Sequence, residues 1–232
     1  MIPKTIHYFW FGRGEKPDKI KYCIDTWHKM MPDYEIKEWN EDNYDVRKHR
    51  YTSEAYDAKV WSFITDYARH DIIYRNGGIY LDTDVELIKS LDPIVKLGKP
   101  FGGIDSMGWF TSGLGMGGPA GARIFKLLMG DYVCSSVFRK DGSVRYNINC
   151  QHEINVMTKL GLRRWCKEIC EIGGMVLYPQ EYFCPLDFAT DKLEITPNTY
   201  SIHHYTCTWM PDKMKQRLVE QHPELQERYK SN

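Results

Sequence analysis

The chain has 232 residues, enough for one α/β domain with embellishments and a core that needs no covalent staples. Its formal net charge is +0, from 31 Lys+Arg against 31 Asp+Glu. That balance argues against a protein that grips nucleic-acid backbone, while leaving a nucleotide open as a small ligand.

Seven cysteines at irregular spacings argue for free thiols in a reducing cytoplasm rather than a disulfide framework or a zinc finger. Pro3, Lys4 and His7 interrupt the opening apolar stretch, so it does not read as a secretory signal. No run approaches the ~20 apolar residues of a membrane span. The expected location is cytoplasmic.

In chain order, Lys4 to Phe11 is β-branched and aromatic and ends at Gly12-Arg13-Gly14, which predicts a first strand and a glycine loop. Ile20, Cys23, Ile24, Trp27 and Met31 form a helical stripe that stops before Pro32. Tyr34 to Trp39 alternates as a second strand. Ser53 reads as the N-cap of a long helix running through Trp61, Ile64, Ala68 and Ile72 to Gly77-Gly78. An edge strand at Val85 to Ile88 and strands near Phe101 and Leu114 to Gly117 follow. Helices are predicted over Pro119 to Val133 and Gln151 to Leu160, and a short strand at Val176 to Tyr178. A charged helix over Pro211 to Tyr229 is expected to break near Pro223. Strands alternating with helices predict an α/β sandwich with a mainly parallel central sheet.

The most informative segment is Gly77-Gly78-Ile79-Tyr80-Leu81-Asp82-Thr83-Asp84. A short buried strand ends in two carboxylates, at the strand end where α/β sheets bind ligands. Paired carboxylates there need water, cations or a metal, and hard oxygen donors suit Mn²⁺ or Mg²⁺ bridging to phosphate oxygens. The preceding glycines allow a tight helix-to-strand turn. Upstream, Asp66 and Arg69 share one helix face. An Arg there can hold a diphosphate in bidentate fashion, and an Asp can accept sugar hydroxyls. His203-His204-Tyr205-Thr206-Cys207-Thr208-Trp209 forms a third cluster, in which adjacent strand histidines point to opposite faces.

The order of these elements, from Ile2-Pro3-Lys4-Thr5-Ile6-His7-Tyr8-Phe9-Trp10-Phe11-Gly12 through Asp66-x-x-Arg69 and Asp82-x-Asp84 to Trp209, resembles the DXD-containing sugar transferases of glycosyltransferase family 32. These include yeast initiating mannosyltransferase-like proteins and bacterial capsule-synthesis enzymes, and clostridial toxin glucosyltransferase domains are more distantly similar. The resemblance implies a GT-A fold over residues 1–210 with a C-terminal helical extension, 211–232. It also implies a retaining, metal-dependent hexosyltransferase with Mn²⁺ or Mg²⁺, a nucleotide-sugar donor such as a UDP-sugar, and a saccharide or lipid-linked saccharide acceptor in surface polysaccharide synthesis.

By the same resemblance, Asp66, Arg69, Asp82 and Asp84 carry catalysis. The donor is held by His7, Trp10 (base stacking), Gly12, Asp66, Arg69, Gly77, Gly78, Tyr80, Asp82, Thr83 and Trp209. The metal falls to Asp82, Asp84 and His204, with His203 as the competing histidine. Asp105, Glu153 and Asp187 are candidates for a carboxylate under the sugar, none singled out, and a same-face route needs no such nucleophile. Loops over 105–118 and 139–153 are expected to set sugar and acceptor. Two rival readings remain: an aspartyl-phosphate phosphohydrolase, which would want Thr or Val where Glu86 stands, and a non-catalytic nucleotide-sugar binder. Lys213, Lys215 and Arg217 beside Met210, Met214 and Leu218 suit weak peripheral contact with an anionic membrane.

Overall fold

The computed structural model describes residues 1–146, 149–164, 166–207, 210 and 212–230. Thr5–Phe9 (β1) opens the central sheet, and its alternation sends Ile6 and Tyr8 to one face and Phe9 to the other. Asp18–Met30 (α1) buries the expected stripe of Ile20, Cys23 and Trp27. Glu35–Trp39 (β2) pairs parallel with β1.

The single long helix expected from Ser53 is two helices, Arg50–Asp57 (α2) and Trp61–Asn76 (α3). α2 ends in a Schellman turn: Val60 N–H donates to Ala55 O and Lys59 N–H to Tyr56 O, with Lys59 at φ 56°. Glycine usually occupies that left-handed position, so a lysine there hid the break. His49, not Ser53, caps α2, its ring accepting from the Tyr51 N–H. α3 is buried round most of its circumference, Asp66, Arg69, His70 and Asp71 included, because it lies between the sheet, α2 and a later helix.

Gly77 (φ 70°) and Gly78 (φ 101°) turn the chain into Gly78–Tyr80 (β3). A Cβ on Gly78 would lie 2.7 Å from Thr5 O, so β3 can approach β1 only as glycine there. Val85–Leu87 (β4), Asp92–Val95 (α4), Phe101–Gly103 (β5), a 3₁₀ turn at Ser112–Leu114 and Met116–Gly118 (β6) follow. The helix expected over 119–133 is confined to Arg123–Gly130 (α5), leaving Pro119 ahead of its first turn. Asn149–Lys159 (α6) precedes Cys170–Ile172 (β7), a strand with no counterpart in the sequence reading, and Met175–Tyr178 (β8). Gln180–Phe183 (α7), Ser201–His203 (β9) and Asp212–Gln221 (α8) lead to a 3₁₀ turn at Pro223–Leu225 and Gln226–Lys230 (α9), so the tail does break at Pro223.

The seven-stranded sheet has the order β2-β1-β3-β6-β5-β8-β7. β1, β2, β3, β5 and β8 run one way, and β6 and β7 run against them. The sheet is therefore mixed, with β6 inserted antiparallel between two co-directional strands. β4 and β9 form a separate two-stranded sheet in which Val85 faces His203.

One core face gathers Phe63, Ile64, Ala68 and Ile72 of α3 with Phe125, Leu128 and Met157 of α5 and α6. The other gathers Trp27 and Met31 with Ile79, Leu81, Val85 and Leu87. α8 buries none of its residues, whereas buried Leu225 and the Arg228 guanidinium, 3.2 Å from Phe188 O and paired with Asp191, fasten α9 to the body. Among the described residues no helix is long and apolar enough to cross a membrane.

Candidate active site

A cavity of about 740 Å³ opens beyond the C-terminal ends of β1, β3 and β5. β1 contributes Trp10 and Gly12, α3 contributes Asp66 and Arg69, and the turn after β3 contributes Asp82, Thr83 and Asp84, with Tyr80 behind them. His7, Gly77 and Gly78 do not line it. The His7 ring is buried, its Nε2–H donating to Gly77 O at 3.0 Å while Nδ1 accepts from the Trp39 indole at 3.1 Å. Burial lowers its pKa to about 4, so the ring is neutral and ties β1 to the glycine turn. Those three residues shape the β1–β3 platform behind the cavity. Trp209, with Thr208, lies outside the described residues.

Asp82, Asp84 and His203 each offer a ligand atom, all within 4.8 Å of one another. His203 Nε2 stands 3.3 Å from Asp84 Oδ1 and 3.8 Å from Asp82 Oδ2. The expectation of His204 as metal ligand is corrected here. His204 points the other way, with Nε2 2.8 Å from Glu86 Oε2, and the other oxygen of Glu86 accepts from Tyr22. The cause is strand alternation: His203 pairs with Val85 at the end of β9, so one histidine faces the carboxylates and its neighbour faces away. Although burial disfavours its charged form, the carboxylates of Asp84 and Asp82 raise the pKa of His203. Two carboxylates and one imidazole form a donor set that fits a divalent cation.

Arg69 is spent on the protein. It donates to Thr65 O at 2.9 Å and to Ser112 Oγ at 3.2 Å, pairs with Asp66 at 2.5 Å, and stands 3.6 Å from Asp82 Oδ1. Against the cost of burial, Arg69, His203 and the Tyr80 hydroxyl hold the Asp82 carboxyl well below the usual carboxylate range. Asp66 fares differently: burial outweighs the pull of Arg69 and raises its carboxyl to about 7. Asp66 Oδ2 is buried without a partner, the one carboxylate oxygen in that state among the described residues.

Behind Arg69 lies a buried hydrogen-bonded network of which the sequence reading names Glu153 alone. The buried Glu153 carboxylate accepts from the Ser112 N–H at 3.0 Å, the Ser112 hydroxyl, and His70 Nε2 at 3.1 Å. Ser112 in turn holds Arg69, and Gly113 O accepts the Asp82 N–H at 3.2 Å. Of the three carboxylates considered as nucleophiles, Asp105 and Glu153 line the cavity and Asp187 does not. Asp105 has both oxygens bound to its own turn, through Met107 N–H, Trp109 N–H and the Thr111 hydroxyl. Asp187 caps a turn through Ala189 and Thr190. Trp61 is a further cavity residue, packed so close to Gly12 that a Cβ there would lie 2.6 Å from the indole nitrogen. No local pattern in the sequence marks Ser112, Gly113 or Trp61.

Residues 17–98 match the family described as glycosyltransferase sugar-binding region containing DXD motif, and the motif falls on Asp82 and Asp84. The similarity thus lies in the segment that builds the carboxylate pair. Inositol phosphoceramide mannosyltransferase 3 of Schizosaccharomyces pombe is 34% identical over 102 residues, 40% of this chain. That match spans only 27% of the yeast protein's length. An uncharacterized glycosyltransferase, L373, of Acanthamoeba polyphaga mimivirus is 24% identical over 225 residues, 91% of this chain and 85% of the viral protein. Among solved structures, galactosyltransferase LgtC in complex with donor and acceptor sugar analogs superposes with a TM-score of 0.47 at 15% identity, covering 97% of this chain and 99% of that one.

Proposed function

We propose that this chain is a metal-dependent, retaining GT-A-type glycosyltransferase that moves a hexose from a nucleotide-sugar, such as a UDP-sugar, to a saccharide or lipid-linked saccharide. The observation that carries the reading is the convergence of Asp82, Asp84 and His203 at the floor of a cavity large enough for a nucleotide-sugar. The yeast relative, named as a mannosyltransferase acting on inositol phosphoceramide, supports a hexose as the group moved and an acceptor joined to a lipid. A role in surface polysaccharide synthesis is taken from the family resemblance, and a cytoplasmic setting suits the free cysteines. Weak contact of α8 with an anionic surface belongs to the same reading, since α8 buries nothing and exposes Lys213 and Arg217.

The residues divide the work. Trp10 stacks on the base at the β1 end. Asp66 Oδ2, unpartnered beside the cavity, accepts a sugar hydroxyl. Arg69 locks Asp66 and Asp82 in place and adds positive potential where the leaving diphosphate develops charge. Asp82, Asp84 and His203 would hold a divalent cation, which would supply Lewis-acid stabilisation of that diphosphate. A same-face displacement accounts for retention without a protein nucleophile, in keeping with the fully bonded carboxylates of Asp105 and Glu153.

The test is nucleoside diphosphate release from a panel of UDP- and GDP-sugars with Mn²⁺. Wild-type protein is expected to turn over at least one donor, Asp84→Ala and His203→Ala to lose that turnover, and His204→Ala to keep it. Phosphate release from simple phosphomonoesters instead would indicate the phosphohydrolase reading. Tight donor binding without turnover would leave a binding module.

A further inference from the structure

Asp84 is held from behind by the segment that follows β9. His204 N–H donates to Asp84 O at 3.0 Å, which locks the two backbones together. Thr206 then places both its N–H and its hydroxyl on Asp84 Oδ2, each at 2.9 Å. Asp84 is buried, and its other oxygen, Oδ1, is the one that faces His203. The residues on either side of Thr206 are both left-handed without being glycine: Tyr205 at φ 49° and Cys207 at φ 47°. Such backbone strain persists only where the surroundings over-determine it. Here the packing is visible: the Tyr205 hydroxyl lies 2.8 Å from Cys184 Sγ, its ring stands edge-on to His203, and Cys207 is buried.

We propose that Thr206 is a positioning residue for the metal site, its paired N–H and hydroxyl bonds occupying Asp84 Oδ2 so that Asp84 presents Oδ1 alone to the cation. The inference rests on the metal reading of the Asp82–Asp84–His203 cluster and goes beyond it. A carboxylate free to rotate could chelate with both oxygens. One whose second oxygen already accepts two hydrogen bonds binds through the first, leaving cation positions for donor oxygens and water. Outer-shell partners of this kind orient the ligand and are typically worth ten- to a hundredfold in metal affinity.

The experiment titrates Mn²⁺ into donor-free protein and counts free ion by electron paramagnetic resonance, so no turnover is involved. Thr206→Val removes the hydroxyl donor and keeps the β-branched shape. It is expected to weaken Mn²⁺ binding about tenfold, while Thr206→Ser restores affinity to near the wild-type value. Thermal melts without metal should superimpose for all three proteins. Should Thr206→Val melt several degrees lower, Thr206→Ala takes its place with the same expected loss. Wild-type affinity in the Val and Ala variants overturns the positioning role and leaves the metal site standing. Absence of Mn²⁺ binding by wild type itself overturns both.

Discussion

A methyl group on Gly113 would lie 2.2 Å from Asp82 Oδ2 and 3.2 Å from Arg69 Nη1. The 3₁₀ turn and the first motif carboxylate therefore share a space that admits no side chain. Asp82 is held by Arg69 and Tyr80 on one side and by the Gly113 carbonyl on its own backbone. Gly113→Ala is expected to push Asp82 out of line with Asp84 and His203. Mn²⁺-dependent donor turnover should fall at least tenfold, with an overpacking cost of about 1–3 kcal/mol in stability. Donor turnover and chemical denaturation of the same preparation check both halves. Unchanged turnover would show that Asp82 can shift without consequence.

Trp10 is half-buried at the cavity wall, its indole N–H fixed on Gly14 O at 2.7 Å and Lys16 Nζ 5.6 Å from its ring centroid. A ring held by its edge keeps a face for stacking. Trp10→Ala should raise the donor KM roughly five- to a hundredfold, the equivalent of about 1–3 kcal/mol, with a smaller effect on kcat. Steady-state kinetics with varied donor provide the measurement. A donor KM unmoved in Trp10→Ala but raised in Trp61→Ala would transfer the stacking role across the cavity.

The Asp66 carboxyl, raised to about 7 by burial against the pull of Arg69, makes a prediction about stability and pH. In metal-free protein the unfolded chain releases this proton from about pH 4 upward, while the folded chain keeps it until about pH 7. Asp66 therefore makes stability fall as pH rises through that window, by at most about 1.4 kcal/mol per pH unit, and contributes no slope above it. Asp66→Asn has nothing to titrate. The difference between the two proteins' denaturation free energies, measured from pH 4.5 to 8.5, should change up to about pH 7 and then level. A difference that stays flat across the range would place the Asp66 carboxyl at its ordinary value.

Much of the fold was written locally. The apolar runs of β1 and β3, the alternation of β2, the α1 stripe and the paired glycines before β3 are short-range signals, and each produced the element it predicted. The Asp82-x-Asp84 pair and Asp66-x-x-Arg69 were legible for the same reason: chemistry at a strand end and on one helix turn needs only neighbouring residues. Lys59 shows where local signals fail. A lysine in a position that favours glycine carries no stop mark, so the α2–α3 break, which sets Trp61 in the cavity wall, could not be read. The tertiary structure decided the rest. His203 faces the carboxylates because β9 pairs with β4 in one register, and a shift by one residue would have presented His204. Gly113 and Thr206 act on Asp82 and Asp84 across long stretches of chain, through contacts that exist only after the sheet has assembled. Composition and spacing determined which groups were available. Strand register and close packing determined which of them meet, because side-chain direction and van der Waals contact are properties of the folded chain and not of its order of residues.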